Sequence, residues 1–522
     1  MSAIVTDQLR IINARKFIEE VTFSSNAYYS FVALTNPEDY QSDWDENPPA
    51  PKDCLNEEYH NWDTVIGLKR ILGSDIRFAV KKVNWASGIT YDMYRHDINR
   101  NNLSQPSEAT NLYSANYFVV NSDFKVYVCL NNGTSPENPN GRPSLDEPKF
   151  VDLEPRVAGA SNDGYVWKYL FTINPNEIVK FDTLKYFTIP TDWETADEYA
   201  SVRLNSVSSG QLKVVLIENR GVDVGPANQI YTCDIIGDGQ DATATIVVDN
   251  QSKVESITIS DGGTGYTYGR VDLTSGGFPT SSTTEPEFKI IIPPKGGHGS
   301  NIYKELGCTR VLIYSQIKND IQNPDFIVGN KISRIGIIAN PLSFNSDQLL
   351  NRGVASALHA IRVIGINNDD DFRNAVFSAN STITQTVGTG LTSIGRVVSY
   401  DKNTGVLKYW QDRTNYGFNY NLQQTAVDGT FGNQKIQFSS DILDGGSLEI
   451  FGSNQSLQID NTFDGDLLVI NNENYYLGQT FENGLADPEV KKYSGDLIYV
   501  DNRSPITRSA NQREDIKIVL QF

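Results

Sequence analysis

Residues 163–173 read DGYVWKYLFTI, a run in which aromatic and aliphatic side chains occupy most positions. A strand built from this run has apolar side chains on both faces, which is typical of a strand buried inside a domain. We therefore predict a core strand here. Its expected core side chains are Tyr165, Trp167, Tyr169 and Phe171.

The sequence around this strand has the composition of a mainly β protein. The 522 residues include 26 Tyr, 23 Phe and 40 Gly, with Asn and Asp in short clusters. Tyr, Phe and β-branched residues favour pleated, half-buried surfaces, whereas Gly, Asn and Asp supply turns. At this length we expect a multidomain, mainly β fold with long loops.

Helical patterns concentrate near the N-terminus. In DQLRIINARKFIEEV (7–21), apolar residues recur at helical spacing. In HNWDTVIGLKRILG (60–73), Val65, Leu68 and Leu72 would share one face of a helix, and Gly73 would end it. We predict one helix in each stretch.

Strand pairs with clear turns dominate from residue 117 onward. Hairpins are predicted for YFVVNSDFKVYVCLNN (117–132), GRVVSYDKNTGVLKYWQD (395–412) and DGDLLVINNENYYLG (464–478). The C-terminal stretch 491–522 predicts strand, turn and strand. Its expected core side chains are Ile498, Ile518 and Leu520.

Changes in composition along the sequence suggest that two insertions interrupt a core, which is then formed by three separate segments. In the first insertion, VVLIENRGVDVG (214–225) is weakly repeated by SITISDGGTGYTYG (256–269). Two copies are too few for a solenoid, which needs about three. The predicted segments are an N-terminal core with helices (1–199), a small inserted β domain (200–299), a return to the core (300–345), a β-rich insertion (346–485) and C-terminal strands completing the core (486–522).

Charge and cysteine usage exclude several classes of protein. The formal net charge is −20, which argues against a nucleic-acid-binding surface because phosphate affinity requires clustered Lys and Arg. No run approaches the roughly 18 apolar residues of a membrane span, so we expect no membrane insertion. Four widely spaced cysteines without a CxxC pair argue against a metal knuckle or a disulfide framework, and they favour a reducing place of synthesis.

Motifs for catalysis or cofactor binding are absent from the sequence. The phosphate-binding GxxxxGK[ST] pattern, HExxH and GxSxG do not occur. The segment 401–412 begins like a calcium loop, but Val406 occupies the position that needs Gly, so a hairpin turn is favoured. PPKGGHGSN (293–301) is either a backbone anion nest or a sharp interdomain turn. We expect no enzymatic activity, no cofactor and no metal.

One loop has the character of a partner-binding segment. TNPEDYQSDWDENPPAPKD (35–53) is acidic and rich in proline, and it contains a tryptophan. An aromatic side chain on an extended loop is a plausible anchor for a partner, because tryptophan is enriched among the residues that dominate binding energy. The candidate partner contacts are Trp44, Pro48, Pro49 and Pro51.

Several blocks of sequence resemble the baseplate wedge protein (gene product 8) family of T4-type contractile-tailed phages. DGYVWKYLFTI and the C-terminal stretch SGDLIYVDNRSPITRSANQREDIKIVLQF (494–522) are the most specific of them. AIVTDQLR (3–10), PPAPKD (48–53) and IGIIANPL (335–342) follow in the family order. The resemblance covers about 1–195, 300–345 and 486–522, and the two insertions depart from it.

This resemblance implies a structural role. Family members have mostly β, sandwich-like domains and form a homodimer in each wedge of the baseplate. They bridge the inner wedge framework to the peripheral proteins that carry fibres or spikes, and they take part in assembly and in the rearrangement on contraction. The implied location is the virion, at the distal tail baseplate, after assembly in the cytoplasm of the bacterial host.

Three other hypotheses stay open. The inserted domains are rich in Tyr and Asn, and aromatic side chains stack on sugar rings, so the chain could be a tail-associated carbohydrate-binding adhesin. It could also be another structural component of the wedge or tail. An enzyme that degrades envelope glycans has only the abundance of carboxylates, 64 Asp and Glu, in its favour.

Overall fold

A computed structural model gives the architecture of the chain. It describes residues 3–35, 43–208, 210–279, 282–318, 326–344, 346–366, 368–388, 391–411, 449–450, 457–509 and 512–522. The fold is mainly β, with several separate sheets and an N-terminal helix, which confirms the predicted fold class. The helices in the described residues are α1 (Asp7–Phe23), α2 (Leu55–Asp63), α3 (Pro175–Phe181), α4 (Ala200–Asn205) and α5 (Ile302–Glu305).

The strands run through the whole described sequence. They are β1 (Tyr28–Ala33), β2 (Val65–Ile71), β3 (Ile76–Lys81), β4 (Phe118–Val120), β5 (Lys125–Asn132), β6 (Tyr165–Thr172), β7 (Tyr186–Ile189), β8 (Val214–Asn219), β9 (Ile230–Gly237), β10 (Gln240–Val248), β11 (Val254–Thr264), β12 (Gly269–Asp272), β13 (Glu287–Ile291), β14 (Arg310–Lys318), β15 (Lys331–Ala339), β16 (Val354–Ser356), β17 (His359–Gly365), β18 (Thr382–Gly388), β19 (Leu391–Asp401), β20 (Val406–Trp410), β21 (Glu449–Ile450), β22 (Leu457–Ile459), β23 (Gly465–Ile470), β24 (Glu473–Phe481), β25 (Leu485–Ala486), β26 (Asp496–Thr507) and β27 (Arg513–Gln521).

The chain divides into two compact units, each assembled from separate segments. The first unit comprises Met1–Ile18, Arg77–Leu312 and Ile518–Phe522. The second comprises Glu19–Ile76 and Ile313–Lys517. This division differs from a simple core with insertions, because both units draw on the N-terminal and the C-terminal parts of the sequence. The five predicted segment boundaries stay predictions.

The first unit contains β6, the aromatic strand predicted at 163–173. β6 forms one edge of a three-stranded sheet of order β4-β5-β6. Residues 212–292 contribute a hydrophobic cluster of their own around a four-stranded sheet of order β11-β10-β9-β12, beside the pair β8 and β13. The two copies of the weak sequence repeat fall on β8 and β11, in different sheets. Within this unit β3 also pairs antiparallel with β7.

The second unit is built on a five-stranded sheet of order β16-β2-β1-β15-β26. β1 pairs antiparallel with β15, and β15 pairs antiparallel with β26 on its other side. A seven-stranded sheet has the order β21-β18-β19-β20-β17-β22, and its seventh strand, β25, also pairs with β17. A separate two-stranded sheet consists of β23 and β24. Part of the predicted insertion 346–485 lies outside the described residues, at 412–448 and 451–456.

The side chains of β6 form an aromatic core. Tyr165 and Trp167 are fully buried, their rings stacked with centroids 5.3 Å apart, and Tyr91 meets the Trp167 ring edge-on at 6.0 Å. Phe171 is also buried. The prediction for Tyr169 needs correction, since its side chain is only half-buried and its hydroxyl lies 2.9 Å from the Thr172 hydroxyl near the surface.

The predicted helix over 60–73 is wrong beyond Asp63. α2 ends at Asp63, and Val65–Ile71 forms strand β2. β2 has strand partners on both sides, β1 and β16, so pairing with distant residues overrides the local helical spacing. Gly67 fits this position because a Cβ atom there would lie 3.0 Å from the Phe326 ring.

The three predicted hairpins are confirmed. β4 pairs with β5, β19 with β20, and β23 with β24. The tight turn between β23 and β24 places Asn471 and Asn472 at φ 53° and 64°, the left-handed region that asparagine tolerates. The Asp401 carboxylate accepts hydrogen bonds from the Asn403 amide and the Thr404 hydroxyl, which is turn geometry.

The C-terminal strands differ from the prediction in which side chains they bury. Ile518 is buried and Leu520 is half-buried. Ile498 is 44% exposed, which corrects its assignment to the core. The register with β15 shifts so that Tyr499 faces Ile337 and Leu497 faces Ile338, and this bulge leaves Ile498 with no residue opposite it.

Replacement of the buried tryptophan of β6 tests the core directly. Trp167→Ala should lower the free energy of unfolding by about 3–5 kcal/mol, because a large aromatic side chain is removed from a fully buried site. Tyr268→Ala is the control, since Tyr268 is 63% exposed in the same unit and should stay within about 0.5 kcal/mol of the parent protein. Urea denaturation followed by circular dichroism measures both, and equal losses would contradict a core role.

Candidate interaction surface

Trp44 holds the acidic, Pro-rich segment against strand β26. Its side chain is 0% exposed, and its Nε1 donates a hydrogen bond of 3.1 Å to the carbonyl oxygen of Arg503. The guanidinium of Arg334 lies over its ring, 5.3 Å from the centroid. Trp44 is therefore an internal anchor, and the prediction that it is presented to a partner is wrong. Residues 36–42 of this segment lie outside the described residues.

The three prolines differ in how far they are tied down. Pro48 and Pro49 are half-buried, and the carbonyl oxygen of Pro49 accepts a hydrogen bond of 2.9 Å from Asn502 Nδ2. Pro51 is exposed. Of the four predicted contact residues, Pro51 is thus the one that stands at an open surface.

A groove lies between β26 and the segment from Pro51 into the start of α2. It has a volume of about 560 Å³. We call it the β26 groove, and it is lined by Pro51, Lys52, Asp53, Cys54, Leu55, Glu58 and Asn61 on one side and by Leu497, Ile498, Tyr499 and Val500 on the other.

One wall of the β26 groove is the edge of a sheet. β26 is the last strand in the order β16-β2-β1-β15-β26, so it pairs with β15 on one side only in the described part of the chain. Alternate residues of such a strand direct N–H and C=O groups away from the sheet. Farther along β26, the Arg503 carbonyl accepts a hydrogen bond from Trp44, and the Asn502 side chain donates one to the Pro49 carbonyl. Over Leu497–Val500 the described residues give the backbone no hydrogen-bond partner besides β15.

Apolar side chains line the open stretch of the groove. Leu55, at the start of α2, is 73% exposed, and Ile498, at the bulge of β26, is 44% exposed. Leu497 and Val500 are partly buried against the cluster that contains Trp62 of α2. The groove therefore has two exposed apolar side chains, Leu55 and Ile498, beside two that are packed against the hydrophobic cluster.

The rim of the groove is acidic. Lys52 lies in the same lining, and its Nζ lies 3.7 Å from a carboxylate oxygen of Glu57. Asp53 and Glu58 form no ion pair with any described basic side chain. Glu57 and Glu58 lie in the first turn of α2, where the helix dipole stabilises negative charge. Asp53 precedes the helix, so this interaction does not explain its presence at the rim.

Glu305 and His298 form a buried polar pair in the first unit. The carboxylate of Glu305 accepts a hydrogen bond from the Gly299 amide at 2.6 Å and lies 2.6 Å from His298 Nδ1, and both side chains are buried. The glycine-rich turn 293–301 thus binds a carboxylate of its own chain. No group of three or more His, Cys, Asp or Glu side chains in the described residues is placed to hold a metal ion.

Lys168 is a buried basic side chain of the first unit. It lies on β6 with 0% exposure, and its Nζ donates to the Leu153 carbonyl and to Asn205 Oδ1 at 2.5 and 2.7 Å. Burial lowers the pKa of Lys168 to about 8, although the negative charges of Glu305 and Glu154 partly oppose this. Its hydrogen bonds are structural and its position is enclosed.

Comparison with known proteins adds no relative. No protein-family model matches the sequence, and a search of the curated proteins found no match. In the described residues, no helix combines the length and the apolar character needed to cross a membrane.

Sequence reasoning identified one rim residue of the groove, Pro51, and missed the groove itself. Its two walls are more than 430 residues apart in the sequence, and each wall has an ordinary local pattern. The alternation in GDLIYV (495–500) predicts a strand, but nothing local shows that this strand lies at the edge of a sheet.

Thiol reactivity should mark the β26 groove. Cys54 is exposed in the groove wall, whereas Cys129, Cys233 and Cys308 are buried, and burial raises the pKa of each of these three thiols. A thiol reagent should therefore modify one cysteine in the native protein and four after denaturation. Cys54→Ser should abolish the native reaction, and any residual fast reaction in that variant would show that another cysteine is accessible.

The stability of the first unit should depend on pH through Lys168. An unfolded lysine keeps its proton up to about pH 10.4, whereas the folded Lys168 releases it near pH 8. Between these values the unfolded state binds more protons, so stability rises with pH. Lys168→Met should remove about 2 kcal/mol of this rise between pH 8 and 10.

The control for this pH dependence is an exposed lysine of the same unit. Lys295→Met leaves the buried amine of Lys168 in place, so its free energy of unfolding should still rise between pH 8 and 10. Urea denaturation of the three proteins at pH 8, 9 and 10 measures the slopes. Identical slopes for the parent and Lys168→Met would show that the buried amine does not lose its proton in this range.

Proposed function

We propose that this chain is a structural subunit of a phage tail baseplate wedge. The observation that carries the proposal is the series of sequence blocks, from Ala3 to Phe522, that resembles the gene product 8 family in order and spacing. In this role the chain forms a homodimer and bridges the inner wedge framework to the peripheral proteins that carry fibres. It performs no catalysis and needs no cofactor.

The placement of these blocks in the fold supports the proposal. In the second unit, β1, β2, β15 and β26 are neighbours in one sheet, and all four come from the resembling blocks. The sheet of order β27-β14-β3-β7 is likewise built from these blocks alone. Segments that resemble one family and are hundreds of residues apart thus meet in common sheets, as expected if they form the shared part of the protein.

The chemistry of the described residues is also that of a scaffold. The most buried polar groups, such as Glu305 and Lys168, are held by hydrogen bonds inside the first unit. The β26 groove combines apolar side chains, acidic side chains and a strand edge that is unpaired in the described residues, which are features of a protein-binding surface. These features favour binding to other proteins over reaction with a substrate.

Assembly tests the proposal. Sedimentation equilibrium of the purified protein should give twice the chain mass of 58.1 kDa. Mixed with the other wedge proteins of its own phage, the dimer should enter a complex that cosediments, and a reconstruction of the tail should place the chain at its distal end. A protein that stays monomeric and outside the wedge complex would refute the role.

A further inference from the structure

We propose that the β26 groove binds an extended, lysine- or arginine-bearing segment of a different protein, which adds as a strand to the open edge of β26. The proposal concerns a binding site and does not depend on the baseplate role. It follows from three properties of the groove. In the described residues its strand backbone has no hydrogen-bond partner on the groove side, two apolar side chains are exposed, and two acidic side chains at the rim form no ion pair.

The unpaired backbone sets the form of the ligand. Leu497–Val500 presents N–H and C=O groups that have no described partner on the groove side, and an added strand satisfies such groups. At about 3.4 Å per residue, this stretch accommodates about four residues of a partner strand. Trp44 and Pro49 occupy the same edge at Asn502 and Arg503, so they limit the added strand on that side.

The unequal protection of β26 argues that the open stretch is a binding site. Proteins commonly protect edge strands by a covering loop, by proline or by charged side chains. Here the segment 44–49 contacts β26 at Asn502 and Arg503, whereas the neighbouring stretch carries exposed Ile498, and Leu55 in the same groove lining is also exposed. A strand with apolar residues at alternate positions would bury both side chains.

Charge decides between a different protein and a second copy of this chain. Asp53 and Glu58 leave the rim acidic, and the one lysine of the lining is held by Glu57. Each copy has a formal net charge of −20, so a second copy would bring further negative charge to this rim. A segment with lysine or arginine beside its apolar residues complements the rim.

Synthetic peptides test the site on the full-length protein. The probe is an eight-residue peptide with alternating valine and lysine, and calorimetry measures its affinity. We expect a peptide with glutamate in place of lysine to bind at least tenfold more weakly. We also expect a peptide with proline at alternate positions to lose binding, because proline cannot donate the backbone hydrogen bonds of an added strand.

The exposed thiol reports where the peptide binds. Cys54 lines the groove, so a bound valine–lysine peptide should slow its modification by a thiol reagent at least fivefold. Binding that leaves the reaction of Cys54 unchanged would place the peptide elsewhere and would overturn the proposal. Protection of Cys54 that grows with protein concentration in the absence of peptide would show that a second copy occupies the groove, which would also overturn it.

A matched pair of variants separates the groove from general attraction to an acidic protein. Asp53→Asn with Glu58→Gln neutralises the rim and should weaken valine–lysine binding about tenfold. Asp241→Asn with Glu255→Gln removes the same charge from exposed positions on β10 and β11 and should leave the affinity within twofold. Equal affinities for the two double variants would overturn the proposal.

The outcomes also distinguish this site from the proposed function. Specific peptide binding by a protein that never enters a wedge complex would refute the baseplate role and leave the groove as a peptide-binding site. Wedge assembly with no specific peptide binding would refute the peptide-binding groove and leave the baseplate role standing. Circular dichroism of each double variant confirms that the sheets are intact before affinities are compared.

Discussion

The pairing of β15 with β1 on one side and β26 on the other is the constraint on which the second unit depends. These strands come from residues 28–33, 331–339 and 496–507, so one sheet joins three distant parts of the chain. The free energy of closing a loop grows only with the logarithm of its length. Long stretches of sequence can therefore lie between β15 and β26 without preventing their pairing, provided that the paired strands bury enough apolar surface.

The same pairing leaves β26 at one edge of the sheet. The segment 44–49 contacts β26 through the hydrogen bond from Trp44 to the Arg503 carbonyl and through the bond from the Asn502 side chain to Pro49. The chain then turns away into α2 and leaves the β26 groove. The groove is thus a direct result of where this segment ends, and its walls are as rigid as the sheet and helix that carry them.

Local patterns predicted the elements that depend on neighbours in sequence, and they failed where distant pairing decides. The run in β6 and the three hairpins have strand and turn signals within a few residues, and they are correct. β2 was predicted as a helix because its partners, β1 and β16, are invisible in its own sequence. Ile498 follows an apolar alternation that the bulge interrupts, and the burial of Trp44 requires a strand more than 450 residues away.

The acidic side chains show how location determines whether a charge is structural or available. Glu305 lies inside the first unit and is held by the Gly299 amide and His298, so its charge fixes the geometry of a glycine-rich turn. A buried carboxylate without such partners would strongly destabilise the fold. Asp53 is exposed and Glu58 is half-buried at the rim of the groove, where contact with water lowers the cost of an unpaired charge. An arriving cationic strand would displace that water beside unpaired backbone groups and apolar side chains, and this combination distinguishes these two carboxylates from ordinary solvent-exposed acids.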